Sequence, residues 1–442
     1  MKIAVVGSGI SGMTAAYYLS KQHEVTVFEA NGYIGGHTNT IDVEHRGQKY
    51  AVDTGFIVFN DRTYPNFIRL LGEIGVESQP TAMTFSVQCE TTGLEYRGAD
   101  LSGLFAQMRN YLRPSFYYLL AEMLRFNRQV ERLLETLDPD ISVADFFAKH
   151  RFGEGFRKQF FLPMASAIWS CPNSTVEQFP LRFIVDFYRH HGLLSVNDRP
   201  QWRVIRGGSQ QYMKALVRQT NAKILVNSPI ASVFRTADSV RLTPQAGESQ
   251  EFDHVVFACH SDQALRILGS EATKTEQEVL IAFPYERNVA ILHTDRRLLP
   301  RSRRAWACWN YHLPQIESSK ATVTYNMNLL QGIDCPDTFC VSLNCEDRVD
   351  PALIVRSIEY HHPVFTTARR TMQERHHELI DVRRTSFAGA YWGNGFHEDG
   401  VVSALAVCQK LDQSSWKVAS TKAGFDTAGE SQSKTAFACE SA

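Results

Sequence analysis

An α/β fold with a parallel sheet covered on both faces follows from three features of this sequence. One is a glycine pattern, G-x-G-x-x-G, set between a short apolar strand and a helix. Another is a second strand that ends on an acid. The last is a pair of later apolar runs, "KILVNS" at 223–228 and "HVVFAC" at 254–259, without polar alternation. Strands buried on both faces read as such continuous runs. At 442 residues, the chain is long enough for about two or three domains.

The first element is the strand "KIAVV" at 2–6. Gly7, Gly9 and Gly12 follow in dinucleotide spacing, a helix runs from Ser11 to Lys21, and "EVTVF" at 24–28 delivers Glu29. In such a unit the first glycine permits a tight turn. The second lets backbone approach a pyrophosphate, and the third lets helix pack on strand. The helix N-terminus offers free N–H groups to phosphate, and the acid takes ribose hydroxyls. Next come Gly35-Gly36, the polar run His37-Thr38-Asn39-Thr40, and "YAVDTGFIVF" at 50–59. Glycines beyond the ribose-binding acid fit either a simple turn or a cofactor that continues past the first mononucleotide. An extended FAD needs such a surface.

Composition narrows the class. Hydrophobic residues make up 44% and charged residues 21%, with a formal net charge of -1. These are ordinary values for a soluble globular protein and do not ask for nucleic acid. No apolar run reaches the roughly 18 residues of a membrane span. The chain enters a strand directly after Met1, so a cytoplasmic protein is expected. Cys335, Cys340 and Cys345 lack the close pairing of zinc ligands and are expected to be reduced thiols, with no metal. The pairs His190-His191, His361-His362 and His376-His377 are adjacent, and neighbours on a helix point different ways. They are expected to be surface or core histidines.

With these residues in place, the chain resembles the flavin-containing amine oxidase superfamily, which includes phytoene desaturases and protoporphyrinogen oxidases. "WRVIRGGSQQYMKAL" at 202–216 looks like that family's second glycine segment, and "FDHVVFACHSDQALRIL" at 252–268 like the strand re-entering the FAD domain. "FAGAYWGNGFHEDGVVSAL" at 387–405 looks like its closing motif. "DTGFIVFNDRTYPNF", "AIWSCP", "RPQWRV" and "GNGFHEDG" are similar to the oxidase-like half of plant cyclopropane fatty acid synthases and related bacterial flavoproteins. The methyltransferase half of the plant proteins is expected to be absent.

The resemblance implies a Rossmann-like FAD-binding domain, discontinuous over 1–78, 201–273 and 376–412, interrupted by an α+β substrate domain. That second domain would span 79–200 and 274–375, helical at about 101–190. Residues 413–442 are poor in apolar residues and are expected to form a disordered tail. The resemblance implies that FAD is held by Gly7, Ser8, Gly9, Ile10, Ser11, Gly12, Glu29 and Ala30. It adds Gly35, Gly36, His37, Thr38, Thr54, Gly55, Phe56, Ile230 and Ala258, and from the closing motif Gly389, Ala390, Phe396, His397 and Glu398. The closing motif has no cysteine before Gly389, so the FAD is expected to be noncovalent.

Departures from the family shape the expected chemistry. Many amine oxidases carry arginine where His37 stands. Many have a flavin-side lysine in a strand; "RNVAILHTD" has none, and His293 falls roughly there. His293, Trp392 and His397 are therefore the candidate catalytic residues. "HED" at 397–399 also fits the start of a helix whose acids favour the dipole. The implied reaction is oxidation or desaturation of a hydrophobic fatty-acyl or phospholipid substrate by hydride transfer to flavin. An amine oxidase releasing aldehyde and hydrogen peroxide is the alternative. A non-catalytic flavoprotein docked on a lipid methyltransferase is the third reading.

Residues 101–134 are aromatic and apolar. They carry Arg109, Arg113, Arg125, Arg128 and Arg132 against Glu122 and Glu131. Pro114 is expected to divide them into two helices. The pattern fits a peripheral contact with an anionic membrane, the cover of an acyl tunnel, or a core-facing helix pair with a solvated basic face.

Overall fold

The computed structural model describes residues 1–412 except 137, 139, 195–198 and 316–319. The tail expected from residue 413 lies outside the described residues. The elements that position the site are, in chain order, β1 (Lys2–Val6), α1 (Ile10–Leu19), β2 (Glu24–Phe28), α2 (Pro65–Glu73), α3 (Pro114–Thr136), α4 (Leu181–His190), α5 (Gln210–Gln219), β3 (His254–Phe257), β4 (Tyr285–His293), β5 (Ile354–Pro363) and α6 (His397–Asp412).

A five-stranded parallel sheet runs in the order Lys223–Leu225, β2, β1, β3, Thr385–Phe387. Successive side chains of a strand point to opposite faces. Ile3, Val5, Val25 and Val27 enter one core, with α1, α2 and α6. Ala4, Val6, Phe28, Val255 and Phe257 enter another, under the helices of 261–280 and the antiparallel ribbon of 230–252. Both faces are apolar, which explains the unbroken runs.

A seven-stranded mixed sheet has the order β5, β4, Cys340–Leu343, Val323–Asn326, Trp309–Leu313, Phe85–Cys89, Glu95–Arg97. Its central strands are the β-branched and aromatic runs of the sequence. The edge strand β5 is less legible. Its outer residues are charged or polar and largely exposed, as suits an edge that must not pair further.

Residues 101–134 depart from the expected helix pair. Pro114 opens α3 rather than dividing two helices. At the first helical position its missing N–H costs nothing. Before it lie only the short turn Leu101–Leu104, capped where the Gly103 amide donates to Asp100 Oδ1 at 2.7 Å, and a 3-10 turn, Met108–Leu112. The inner face of α3, with Phe116, Leu119, Phe126 and Val130, packs on an aromatic core that includes Phe146, Phe156 and Phe161.

Candidate cofactor and active site

The three fingerprint glycines have different surroundings. Gly7 has φ +105°, and an added Cβ would lie 2.8 Å from the Ala258 carbonyl oxygen. A Cβ on Gly12 would sit 2.0 Å from the Gly7 oxygen. Both positions are dictated by the fold. A Cβ on Gly9 would meet nothing within 4 Å, so here the chain leaves open the direction in which a pyrophosphate would lie. Gly9 also precedes α1 without a side-chain cap, so the first-turn N–H groups remain available to an anion. Glu29 is buried. Its Oε2 accepts from the Ser8 amide at 2.9 Å and hydroxyl at 2.6 Å, and its Oε1 from the Asn31 amide at 2.8 Å and Nδ2 at 3.0 Å. A ribose hydroxyl would replace the exposed Asn31 side chain.

The second glycine pair folds a loop against the first. Gly35 has φ +129°, and a Cβ there would lie 2.6 Å from the Thr38 oxygen; one on Gly36 would lie 3.4 Å from Gly9 Cα. The Gly35 amide donates to Ser8 Oγ at 3.2 Å. Gly55 lies so close to His37 that a Cβ would be 2.2 Å from its carbonyl oxygen, and that oxygen accepts from the Phe56 amide at 2.7 Å. The loop is thus wedged between Gly9 and the Thr54–Phe56 segment. Thr54 Oγ1 donates to the Asn39 carbonyl and lies 2.9 Å from the Tyr360 hydroxyl.

Asp53 ties in the third glycine segment. It accepts from Thr40 Oγ1 at 2.5 Å, Ser209 Oγ at 2.8 Å and Gln331 Nε2 at 3.0 Å. Gly208 packs on Thr40, where a Cβ would fall 2.6 Å from Cγ2. Tyr212, delivered by α5, then reaches the core of the site.

Several groups deep in the protein nonetheless keep accessible surface. His37, His260 and His362 are all half-buried. Burial lowers their pKa values to about 4, 3 and 3. The three rings form one half-buried cluster. His37 stacks on Tyr360 at 4.9 Å and lies 5.4 Å from His362 and 6.1 Å from His260; His260 stacks on Tyr285 at 4.2 Å. Gly7, Gly9, Gly36, Gly55, Phe56, Ala258, Ala390 and Phe396 are half-buried in the same way.

His260, Tyr285, Tyr360 and His362 were not among the residues expected from the sequence. The pair His361-His362 divides because β5 alternates: residues 360 and 362 share one face. That alternation is the signal that would have found His362, had the strand been recognised.

The expected catalytic residues lie elsewhere or are immobilised. His293 is fully buried; its Nε2 lies 2.8 Å from Ser342 Oγ and its Nδ1 accepts from the Asp295 amide at 3.0 Å. Asn288 pairs with Tyr360 and His293 with Ile354. At about 3.3 Å per residue, His293 is roughly 16 Å along the strand from Asn288. It is a sheet residue, and burial holds it neutral, with its pKa lowered to about 4. Trp392 stacks on His376 at 4.2 Å and packs with Phe283 and Tyr391 in the core. His397 stacks on Phe56 at 3.5 Å, and its Nε2 lies 3.0 Å from Thr38 Oγ1 and 2.9 Å from the Tyr212 hydroxyl. Burial drives its pKa well below the usual range. It is an anchored neutral ring, not a free acid or base.

Glu398 also has a different role from the one expected. Its Oε1 accepts from the Asn66 amide at 3.0 Å and Nδ2 at 2.7 Å, and its Oε2 from the Phe67 amide at 2.9 Å. Its side chain caps α2 from α6. Glu398→Gln turns one acceptor into a donor facing another donor. The expected result is a loss of about 2 kcal/mol in urea unfolding, with FAD retained by the folded fraction. Unchanged stability would show that the cap is dispensable. Ile230 is buried in the core of Phe28, and Ala30 is exposed. Ser8, Ile10 and Ser11 are buried, so Ile10 and Ser11 can offer only backbone to a ligand.

The closing loop is held by a buried cation. Arg369 Nη2 donates to the Tyr391 carbonyl at 3.0 Å and the Gly393 carbonyl at 3.1 Å, and its guanidinium lies 3.7 Å from the Phe365 ring centroid. Burial lowers its pKa to about 9, so it stays charged at neutral pH. Asp399 accepts from the Phe396 amide at 2.8 Å, and the Gly389 amide donates to Ser403 Oγ at 2.9 Å. The residues together fit a dinucleotide running from Gly9 past His37 toward Phe56 and Phe396.

Comparison with known proteins agrees with this geometry. Residues 10–318 match the family described as flavin containing amine oxidoreductase. A protein of Mycobacterium tuberculosis named as a flavin-containing monoamine oxidase, AofH, is 27% identical over 256 residues, covering 56% of this chain and 54% of that protein. The zeta-carotene desaturase of Arabidopsis thaliana is 32% identical over 124 residues, 26% of this chain and 22% of the enzyme. The chain thus spans about half the length, or less, of these curated relatives. A solved structure of a putrescine oxidase mutant superposes with a TM-score of 0.68 at 14% identity, covering 93% of this chain and 99% of that one.

Proposed function

Because the chain belongs to the flavin containing amine oxidoreductase family, we propose that it is an FAD-dependent oxidoreductase acting on a hydrophobic, acyl-chain substrate. FAD supplies a ring that accepts a hydride from carbon; the protein supplies binding, orientation and exclusion of water. Gly9 and the N-terminus of α1 would receive the pyrophosphate, and Glu29 the ribose. The loop Gly35–Thr38, braced by Thr38, Tyr212 and His397, would hold the cofactor's extension. Cys259, which follows Ala258, has its thiol pushed up to about 12 by burial. It stays protonated, which suits a noncovalent cofactor.

The observation that carries the substrate class is an aromatic wall packed on the closing loop, of which Phe183 and Phe396 keep accessible surface. Phe396 stacks on Phe187 of α4 at 5.2 Å, Phe187 on His191 at 3.8 Å, and Phe183 on Phe365 at 4.8 Å. His191 is kept neutral, its pKa lowered to about 4 by burial. Such a wall retains apolar chains, each buried methylene contributing about 0.8 kcal/mol. The resemblance of "RPQWRV" and "GNGFHEDG" to the oxidase-like half of plant cyclopropane fatty acid synthases supports an acyl substrate. An amine substrate is the second reading, favoured by the relative named as a monoamine oxidase.

Anaerobic titration of the flavoprotein tests the choice. Fractionated lipids are expected to bleach the flavin absorbance. Bleaching by a panel of amines, with peroxide released on admitting air, would replace the acyl reading. A protein that no lipid or amine reduces, and that co-purifies with a lipid methyltransferase, would be an accessory partner.

A further inference from the structure

Residues 101–118 expose an apolar surface that packing does not explain. Leu101 is 74% exposed, Met108 74% and Leu112 86%, and Tyr111, Tyr117 and Tyr118 are exposed beside them. Single exposed apolar side chains are ordinary; a run of them on one segment marks an interaction surface. No helix among the described residues is long and apolar enough to cross a membrane.

The tertiary fold adds charge to this surface from a distant part of the chain. Ser302 Oγ donates to the Ala106 carbonyl at 2.9 Å, the Ser302 amide to Glu95 Oε2 at 2.9 Å, and Arg97 Nη1 to the Trp306 carbonyl at 3.3 Å. The loop 301–304 is thereby fastened against the turn that follows Leu101–Leu104. Its Arg301, Arg303 and Arg304 are exposed, and among the described residues none of the three is paired with a carboxylate. Arg109 and Arg113 on the apolar segment bond only neutral partners. Arg109 Nε donates to Gln107 Oε1 at 3.0 Å, and Arg113 Nη2 to the Thr92 carbonyl at 2.8 Å. Five guanidinium groups therefore border the apolar patch without neutralisation.

We propose that this face docks on an anionic lipid surface. Leu101, Met108 and Leu112 enter the headgroup boundary, Tyr111, Tyr117 and Tyr118 lie at the interface, and the arginines meet lipid phosphates. A bilayer of anionic lipid offers both halves of the complement, an apolar boundary and a sheet of negative charge. An acidic protein would satisfy the arginines but not six exposed apolar side chains. The inference does not depend on the substrate reading.

The test is co-sedimentation of the full-length, FAD-loaded protein with vesicles of phosphatidylcholine alone or mixed with phosphatidylglycerol. Binding is expected only to the mixed vesicles, with release as salt is raised. Neutralising Arg301, Arg303 and Arg304 together to Gln should lower the partition coefficient about a hundredfold, at roughly fivefold per charge. Leu112→Glu should weaken it further while leaving the melting temperature and FAD content unchanged, since Leu112 is already exposed. These variants are better probes than changes at Arg109, Arg113 or Arg125, whose guanidinium groups hold backbone carbonyls at 92–93 and 150. Equal binding to both vesicle types, or an unchanged partition in the triple variant, overturns the proposal. So does failure to sediment with mixed vesicles at low salt, which would assign the face to an acidic protein surface.

Discussion

Gly9→Val is expected to give a folded protein that carries no FAD. The two neighbouring fingerprint glycines cannot be used this way. A side chain on Gly12 would strike the Gly7 carbonyl oxygen at 2.0 Å, and on Gly7 it would require φ +105°, so both changes damage the first turn of the fold. Gly9 has φ -64°, which any residue adopts, and its Cβ direction is open. The valine methyl groups occupy the place a pyrophosphate must approach. Occupancy, read as flavin released on denaturation per protein, should fall at least a hundredfold, about 3 kcal/mol of binding. Far-UV circular dichroism should match the parent. A variant that purifies yellow at full occupancy would put the phosphates elsewhere.

Acidification from about pH 7 to pH 5 is expected to remove several kcal/mol of folding stability. Burial lowers eleven histidines: His37, His191, His254, His293 and His376 to about 4, His260 and His362 to about 3, and His150, His190, His312 and His397 in the same direction. Their folded pKa values lie below the unfolded value of about 6.5. Below that pH the unfolded chain binds protons that the folded chain refuses, so stability is lost between pH 6.5 and about pH 4. Four carboxyls oppose this. Burial raises Asp53 to about 6 and Asp399 to about 7, and it raises Glu286 and Glu398 as well. Their folded forms bind protons first on acidification, which favours the folded state. The lowered histidines outnumber the raised carboxyls, and the net slope is destabilising. Urea unfolding across this range measures it. A flat or rising stability from pH 6.5 to pH 5 would mean that the histidines titrate normally in the folded protein.

Local chemistry made part of the fold and site readable. Gly7 and Gly9 lie between β1 and α1, Gly12 lies in the first turn of α1, and Glu29 follows β2, because turn, helix start and acid are set within thirty residues. The strand 254–257 was legible because burial on both faces leaves a continuous apolar run. The role of Glu398 was not legible, since its partners, Asn66 and Phe67, are more than three hundred residues away. His293 misled for a similar reason. A motif position near a strand end carries no information about which end of that strand meets the site.

By itself the sequence determined a nucleotide-binding α/β chain with a second glycine loop, because these depend on backbone conformations that only particular residues adopt at fixed short spacings. The tertiary structure alone decided which side chains meet. It brought His37 from the first loop, His260 from beyond the end of β3 and His362 from β5 into one cluster. It set the loop of Arg301, Arg303 and Arg304 against Ala106, and it buried His397 between Phe56 and Tyr212. Contacts of this kind arise from the pairing order of strands and the packing of distant helices, which no local spacing encodes.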